Sequence, residues 1–168
     1  ALAMLCAGGC DDGATEAADA TSSVSRCGEG LSRVALGIGE PFAPFGDDPH
    51  VTIEQGRQGG YHVFVSAQVF GPIDPDHVDI EIALRRGDWR ISRHLTLDWL
   101  LHLGPGGAYC EYPRAQLVLQ DEAGGLLPYE RLAEITGVPL RIDVGLRSPG
   151  GDAEGSFTLT LDPLPPDL

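Results

Sequence analysis

Apolar residues recur at every second position through most of the chain beyond residue 27, and this alternation limits the fold more than any other feature. Successive side chains of a β-strand point to opposite faces, so a period of two predicts strands that bury one face. Eight segments show the pattern: 31–38, 50–55, 61–70, 77–86, 89–101, 114–120, 138–147 and 156–162. Only the segment 129–136, YERLAEIT, predicts a helical turn or two instead.

Short strands separated by frequent turns are typical of two antiparallel sheets packed face to face. The sequence therefore predicts an all-β antiparallel sandwich of about seven or eight strands. Its last two segments, VPLRIDVGL and PGGDAEGSFTLTL, resemble the closing hairpin of an immunoglobulin-like domain in their pattern. That resemblance implies an immunoglobulin-like β-sandwich over residues 26–168, although the buried tryptophan and disulfide of antibody domains are not recognisable.

The segments 77–86 and 89–101 predict a hairpin with a two-residue turn at Gly87-Asp88, so that Arg86 faces Trp89. This register separates an apolar face from a polar face, and a slip of one residue would mix the two. The predicted apolar pairs are Val78 with Leu97, Ile80 with Leu95, and Leu84 with Ile91, and the polar pairs are His77 with Asp98, Asp79 with Thr96, and Glu81 with His94.

The stretch GRQGGYHVFVS at 56–66 is either a glycine-rich ligand loop that presents His62 or the turn of a hairpin. The hairpin is favoured because a short loop at 56–60 needs positive φ, which glycine supplies. It leaves Phe64 and Phe70 on the outer face, where another element or a partner must cover them. The predicted pairs are Gln55 with Tyr61, Ile53 with Val63, Val51 with Val65, and Glu54 with His62.

The first ten residues, ALAMLCAGGC, are apolar and small, and the polar stretch DDGATEAADATSS follows directly. Ala7-Gly8-Gly9-Cys10 resembles the lipobox of bacterial lipoprotein signals, with Ala7 where leucine is usual. The resemblance implies a signal-peptide remnant at 1–9, a lipidated Cys10, and a flexible, disordered tether at 10–25. It implies an exported, membrane-anchored lipoprotein that faces the periplasm or the cell surface. The alternative is a buried N-terminal segment in which Cys6 and Cys10 are ordinary cysteines.

Two cysteines, Cys27 and Cys110, remain for the folded domain. An oxidising compartment favours their pairing in a disulfide, which would connect the start of the domain to its second half. Closure of such a loop stabilises a fold by roughly 4 kcal/mol in the chain-entropy model. The alternative is two unpaired thiols.

The chain has 25 acidic and 11 basic residues and a formal net charge of −14. This balance argues against binding to nucleic acid and against electrostatic docking on anionic lipid. Connections in an antiparallel sandwich alternate between its two ends, so several acidic loops are expected at one end, where carboxylates suit a hard cation such as Ca²⁺. The alternative is that aspartate simply favours turns, where it bonds nearby backbone. The candidate calcium ligands are Asp47, Asp48, Asp74, Asp76 and Asp79.

Motifs for enzymatic chemistry, such as G-x-S-x-G, S-x-x-K or His-Glu-x-x-His, do not occur in the sequence. We therefore predict a lipid-anchored protein of the bacterial cell envelope, with a non-catalytic sandwich that binds or assembles with an envelope protein or glycan. One alternative is a module that binds calcium or another metal or ligand through its acidic loops. A hydrolase on the same scaffold is the other, since the fold alone does not choose among these functions.

Overall fold

The computed structural model describes residues 26–57 and 59–164, so the predicted signal remnant, lipidated Cys10 and tether lie outside the described residues. Eleven strands and two 3-10 helices lie among these described residues. The strands are β1 (Arg33–Ile38), β2 (Ala43–Pro44), β3 (His50–Thr52), β4 (Glu54–Gln55), β5 (Tyr61–Phe70), β6 (Val78–Arg86), β7 (Trp89–Trp99), β8 (His102–Leu103), β9 (Cys110–Val118), β10 (Pro139–Ser148) and β11 (Gly151–Asp162). Two 3-10 helices cover Pro105–Gly107 and Tyr129–Glu134, the second within the segment predicted as helical. No helix among the described residues is both long and apolar enough to cross a membrane.

The strands form two sheets that pack face to face, which confirms the predicted all-β, immunoglobulin-like sandwich. The first sheet has the order β2-β1-β5-β9-β8, with β4 also paired to β5, and the second has the order β3-β11-β10-β6-β7. The chain passes from one sheet to the other after β2, β3, β5, β7 and β9, and the β10–β11 hairpin closes the fold, as in immunoglobulin-like domains. Two described pairings depart from the antiparallel prediction, because β3 runs parallel to β11 and an isolated bridge joins Thr136 to Leu161 in the parallel sense.

The core lies between the sheets and consists of the inward-facing residues at alternate positions along the strands. In β5, Val63, Val65, Ala67 and Val69 are at most 1% exposed, as the period of two predicts. The second sheet contributes Ile80, Ile82 and Leu84 from β6 and Ile142 and Leu146 from β10. Burial of this apolar surface is the main force that holds the two sheets together.

The predicted disulfide between Cys27 and Cys110 is confirmed. Both cysteines are fully buried, and their separation in sequence is 83 residues. Cys27 also exchanges backbone hydrogen bonds with Gly71 and Ile73 beyond the end of β5. The bond therefore fastens the segment before β1 to the first residue of β9.

The hairpin of β4 and β5 has the predicted register where it forms, with Gln55 opposite Tyr61 and Glu54 opposite His62. The predicted pairs of Ile53 with Val63 and Val51 with Val65 are wrong. The segment divides at Ile53, so that β4 joins the first sheet while β3 pairs with β11 in the second. Ile53 itself is buried where the chain changes sheets.

The predicted outer face of β5 is covered from within the molecule. The guanidinium carbon of Arg114 lies 4.4 Å from the centre of the Phe64 ring, and that of Arg33 lies 3.6 Å from the centre of the Phe70 ring. A cation over an aromatic face is attracted by the ring quadrupole, while the aliphatic part of arginine covers the apolar surface. These two rings therefore do not need a partner protein.

Candidate functional site

A β-bulge near the start of β7 determines which side chains this strand presents to solvent. The turn has the predicted pair Arg86 with Trp89, but Leu84 then faces Ser92, and Ile91 is left as the extra residue. The predicted pair of Leu84 with Ile91 is therefore wrong, and every later pair is displaced by at least one position. Since a displacement of one residue exchanges the two faces of a strand, side chains predicted for the core point outward.

Leu95 and Leu97 are the residues most affected. The predicted register placed them opposite Ile80 and Val78 on the buried face, but they are 45% and 62% exposed. A second irregularity occurs between Ile80 and Val78, beside Asp98, whose φ is 50°. We call the exposed apolar set Leu95, Leu97, Trp99 and Leu100 the β7 surface; its last two members are 45% and 57% exposed.

The β7 surface lies at the edge of the second sheet. Among the described residues, β6 is the strand that pairs with β7, and no strand pairs with its other side. Proteins usually protect such edges with charges, prolines or bulges, because an exposed apolar edge promotes association. Here the bulges are present, and yet leucine and tryptophan side chains face solvent.

A shallow groove of about 680 Å³ extends from the β7 surface across the outer face of the second sheet. Leu95, Leu97 and Arg93 line it on the β7 side, and β6, β10 and β11 contribute its floor and its other charged side chains. These charged residues are Asp79, Glu81, Arg93, Arg147, Asp152 and Glu154. Four carboxylates and two guanidinium groups give the groove a net negative charge.

One ion pair in the groove is bidentate, with two hydrogen bonds between the guanidinium and the carboxylate. Arg93 donates from Nε to Oε1 of Glu81 at 2.7 Å and from a terminal nitrogen to Oε2 at 3.2 Å. These bonds hold the pKa of Glu81 below its ordinary value. Glu81 therefore stays ionised at neutral pH, which does not suit a general acid. The predicted pairing of Glu81 with His94 is wrong, since Leu95 is the residue opposite Glu81.

The inner side of β7 carries polar residues that connect the two sheets at their open edge. A short contact of 2.6 Å joins His94 Nε2 to the hydroxyl of Tyr112 on β9, and Thr96 Oγ1 lies 2.9 Å from the same hydroxyl. His94 Nδ1 lies 3.2 Å from the carbonyl oxygen of Gln116, also on β9. Burial lowers the pKa of His94, although the bond to Gln116 opposes this change. These contacts give a neutral His94 a structural role.

The predicted calcium ligands bond to separate neighbouring groups and do not form one cluster. Asp74 Oδ1 accepts the backbone N–H of Asp76 at 3.0 Å, and Asp79 Oδ1 accepts that of Asp98 at 2.9 Å. Asp48 lies 3.7 Å from His50, and Asp47 belongs to the same loop. Across 26–57 and 59–164, no three or more His, Cys, Asp or Glu side chains form a group that could hold a metal ion. The bond of Asp74 to the N–H two residues further on matches the turn alternative, whereas Asp79 bonds across the β6–β7 hairpin.

Histidine–carboxylate pairs occur elsewhere on the surface. His77 Nδ1 lies 2.7 Å from Asp98 Oδ1, as the sequence predicted for this pair of residues, and the pairing raises the pKa of His77. His50 has an equally short contact with Asp162, which raises its pKa in the same way. His62 lies 3.9 Å from Glu54 and against the ring of Phe64. Each of these histidines therefore contacts its own neighbouring carboxylate, and the three do not form a common site.

Comparison with known proteins gives no family for this chain: no protein-family model matches it, and no curated protein is significantly similar to it. The β7 surface and its groove therefore carry the functional argument on geometry alone. The sequence contained one signal for them, because Arg93 interrupts the apolar positions of β7 between Ile91 and Leu95.

Proposed function

We propose that this protein is an exported, lipid-anchored protein of the bacterial cell envelope whose non-catalytic β-sandwich binds a partner protein through the β7 surface. The exposure of Leu95 and Leu97 on an edge strand is the observation that supports binding most strongly. Contiguous exposed apolar side chains beside charged residues are typical of protein interaction sites. The lipobox-like sequence at Ala7–Cys10 supports the anchor, and the polar tether after Cys10 would give the domain reach from the membrane.

The groove beside the β7 surface indicates what kind of partner fits. Leucine side chains favour an apolar contact, and the excess of carboxylates favours a basic one. The net charge of −14 acts in the same direction and would accelerate association with a basic protein. A partner with apolar anchors surrounded by arginine or lysine side chains is therefore the one we propose.

Site-specific photo-crosslinking tests this proposal in native membranes. A photoreactive amino acid at Leu97 of the full-length protein is expected to capture a defined partner, and the same amino acid at Leu126 is the matched control. Leu126 is 57% exposed, close to the exposure of Leu97, but it lies in the loop before the second 3-10 helix. The adduct at position 97 should disappear when Leu95→Glu is added. Equal crosslinking at both positions, or an adduct that survives Leu95→Glu, would refute the interface.

The anchor is tested separately by mass spectrometry of the mature N-terminus isolated from membranes. We expect a diacylglycerol-modified Cys10 as the first residue, and Cys10→Ser should release the protein from the membrane. An unmodified N-terminus beyond Cys10 would contradict lipidation and would leave the crosslinking result unaffected. The two parts of the proposal therefore fail independently.

A further inference from the structure

A second cavity, of about 330 Å³, lies on the outer face of the first sheet, away from the β7 surface. The turn between β1 and β2 supplies Pro41 and Phe42, and the segment before β9 supplies Pro105 and Tyr109. The remaining lining residues come from that turn and from β5 and β9: Gly39, Glu40, Ser66, Ala67, Gln68, Glu111, Tyr112 and Pro113. We call this cavity the Phe42–Tyr109 pocket. Its volume is at the small end of ligand sites and suits one side chain or a small amine.

The two aromatic side chains of the pocket are held in place by glycines. A Cβ on Gly37 would lie 2.8 Å from the Phe42 ring, and a Cβ on Gly104 would lie 2.3 Å from the Tyr109 ring. Each ring therefore rests directly on backbone, which leaves it little freedom to move. Tyr109 also contacts Phe70, with 5.8 Å between ring centres, and Arg33 lies over the Phe70 ring. The aromatic surface of the pocket is thus formed before any ligand arrives.

The polar groups of the pocket are mainly acceptors. Glu40 and Glu111 bring two carboxylates, and the lining includes no arginine, lysine or histidine. The amide nitrogen of Gln68 donates to Oε1 of Glu111 at 3.0 Å, which fixes this carboxylate and leaves its other oxygen available. Within the described residues, neither glutamate forms a salt bridge. Arg114 lines an adjoining cavity that shares Glu40 and Ser66 with this pocket, and it does not line the pocket itself. A ligand that donates hydrogen bonds and supplies positive charge therefore fits this lining.

Arginine covers aromatic rings at three other places in this molecule. Arg33 lies over Phe70, Arg114 over Phe64 and Arg131 over Trp89. No cation of the described chain lies over Phe42 or Tyr109. Carboxylates beside aromatic faces recognise a cation in two ways, through charge-assisted hydrogen bonds and through the ring quadrupole.

We propose that the Phe42–Tyr109 pocket binds a guanidinium or ammonium group at the end of an alkyl chain. The alkyl part would contact Pro41 and Phe42, and the charged end would pair with Glu40 and Glu111. Such a group is presented by an arginine or lysine side chain of a polypeptide, or by a free polyamine. This site is on the other sheet from the β7 surface, so it does not depend on the interface proposed there.

Titration of the isotope-labelled protein, followed by NMR, tests the proposal with matched probes. The first probe is the blocked tripeptide acetyl-Gly-Arg-Gly-amide, and its control replaces arginine by citrulline, which has nearly the same shape without the charge. We expect the arginine peptide to shift the resonances of Gly39, Gln68 and Tyr109, and the citrulline peptide to bind about tenfold more weakly, since one lost charge-assisted contact is worth about 1.4 kcal/mol. Putrescine is the third probe: tighter binding of putrescine identifies a free amine as the ligand, and tighter binding of the peptide identifies a polypeptide.

Two variants locate the binding. Glu111→Gln keeps the acceptor for Gln68 and removes the charge, and it should weaken binding of the arginine peptide about five- to tenfold. Glu130→Gln removes an exposed carboxylate elsewhere and should leave binding unchanged. Equal affinity for the arginine and citrulline peptides, or equal losses in the two variants, would overturn the proposal. Either outcome would leave photo-crosslinking at Leu97 unaffected.

Discussion

Reduction of the Cys27–Cys110 disulfide is expected to lower the free energy of unfolding by about 4.5 kcal/mol. The bond joins cysteines separated by 83 residues, and the chain-entropy model gives about this value at 25 °C for a loop of that length. Both cysteines are fully buried, and their sulfur atoms must move apart once the bond is broken, so local repacking adds to this loss. The value of about 4.5 kcal/mol covers only the freedom that the unfolded chain regains.

Urea denaturation of residues 26–168, with and without a strong reductant, provides the measurement. With a slope of about 2 kcal/mol per molar urea, the midpoint should fall by about 2 M. The variant Cys27→Ala/Cys110→Ala should be at least as unstable, because it also leaves small cavities. Midpoints that agree within about 0.5 M for the oxidised and reduced proteins would refute the reasoning, since the loop constraint would then contribute little.

Three further predictions concern single side chains. Ser92 is fully buried and its hydroxyl has no partner, so Ser92→Ala should raise the free energy of unfolding by about 1 kcal/mol in urea denaturation; a loss of stability would show that the hydroxyl is bonded. Burial lowers the pKa of His94 below its ordinary value of 6.5, so the unfolded chain binds a proton before the folded protein does, and stability falls as the pH decreases below 6.5. This fall should be smaller in His94→Gln. His50 and His77 have raised pKa values, so the stability that they contribute is lost as the pH rises through those values. An unchanged pH profile in His94→Gln would contradict the assignment. Arg33→Met should cost about 0.5–1 kcal/mol through loss of the contact with Phe70, and a neutral effect in urea denaturation would show that only the aliphatic cover matters.

The period of two was enough to predict the strands, because it reflects how each strand meets the core. The segment 61–70 coincides with β5, and the turn at Gly87-Asp88 has the predicted pairing of Arg86 with Trp89. The closing hairpin was also predicted, although β11 begins at Gly151 rather than near residue 156. These features depend on local pattern and turn chemistry, which the sequence displays directly.

The candidate site was not predictable from the same pattern. Every second position of β7 is apolar except Arg93, and the pattern placed Leu95 and Leu97 in the core. The bulge at Ile91 reverses this arrangement, and it accompanies contacts that are distant in sequence, since His94 and Thr96 lie against the hydroxyl of Tyr112 on β9. The interruption at Arg93 does not by itself distinguish a bulge from one charged residue on an apolar face. Which groups the aspartate oxygens bond depends on turn and strand geometry, as the bonds of Asp74 and Asp79 show, and the sequence does not display that geometry.

The exposure of Leu95 and Leu97 to water is unfavourable in free energy, and a partner that covers them would recover this free energy. Burial of one leucine side chain is worth about 1.5–3 kcal/mol, so covering both offers several kcal/mol to a partner before the costs of association. Polar residues at these two positions would leave the core of the sandwich intact, since neither side chain contributes to it. The nearby pair of Arg93 and Glu81 keeps the surface of this strand charged and limits non-specific association. A strand that combines edge position, bulges, charges and exposed leucines favours association with partners that match its shape, and this is the physical basis for proposing a binding function for β7.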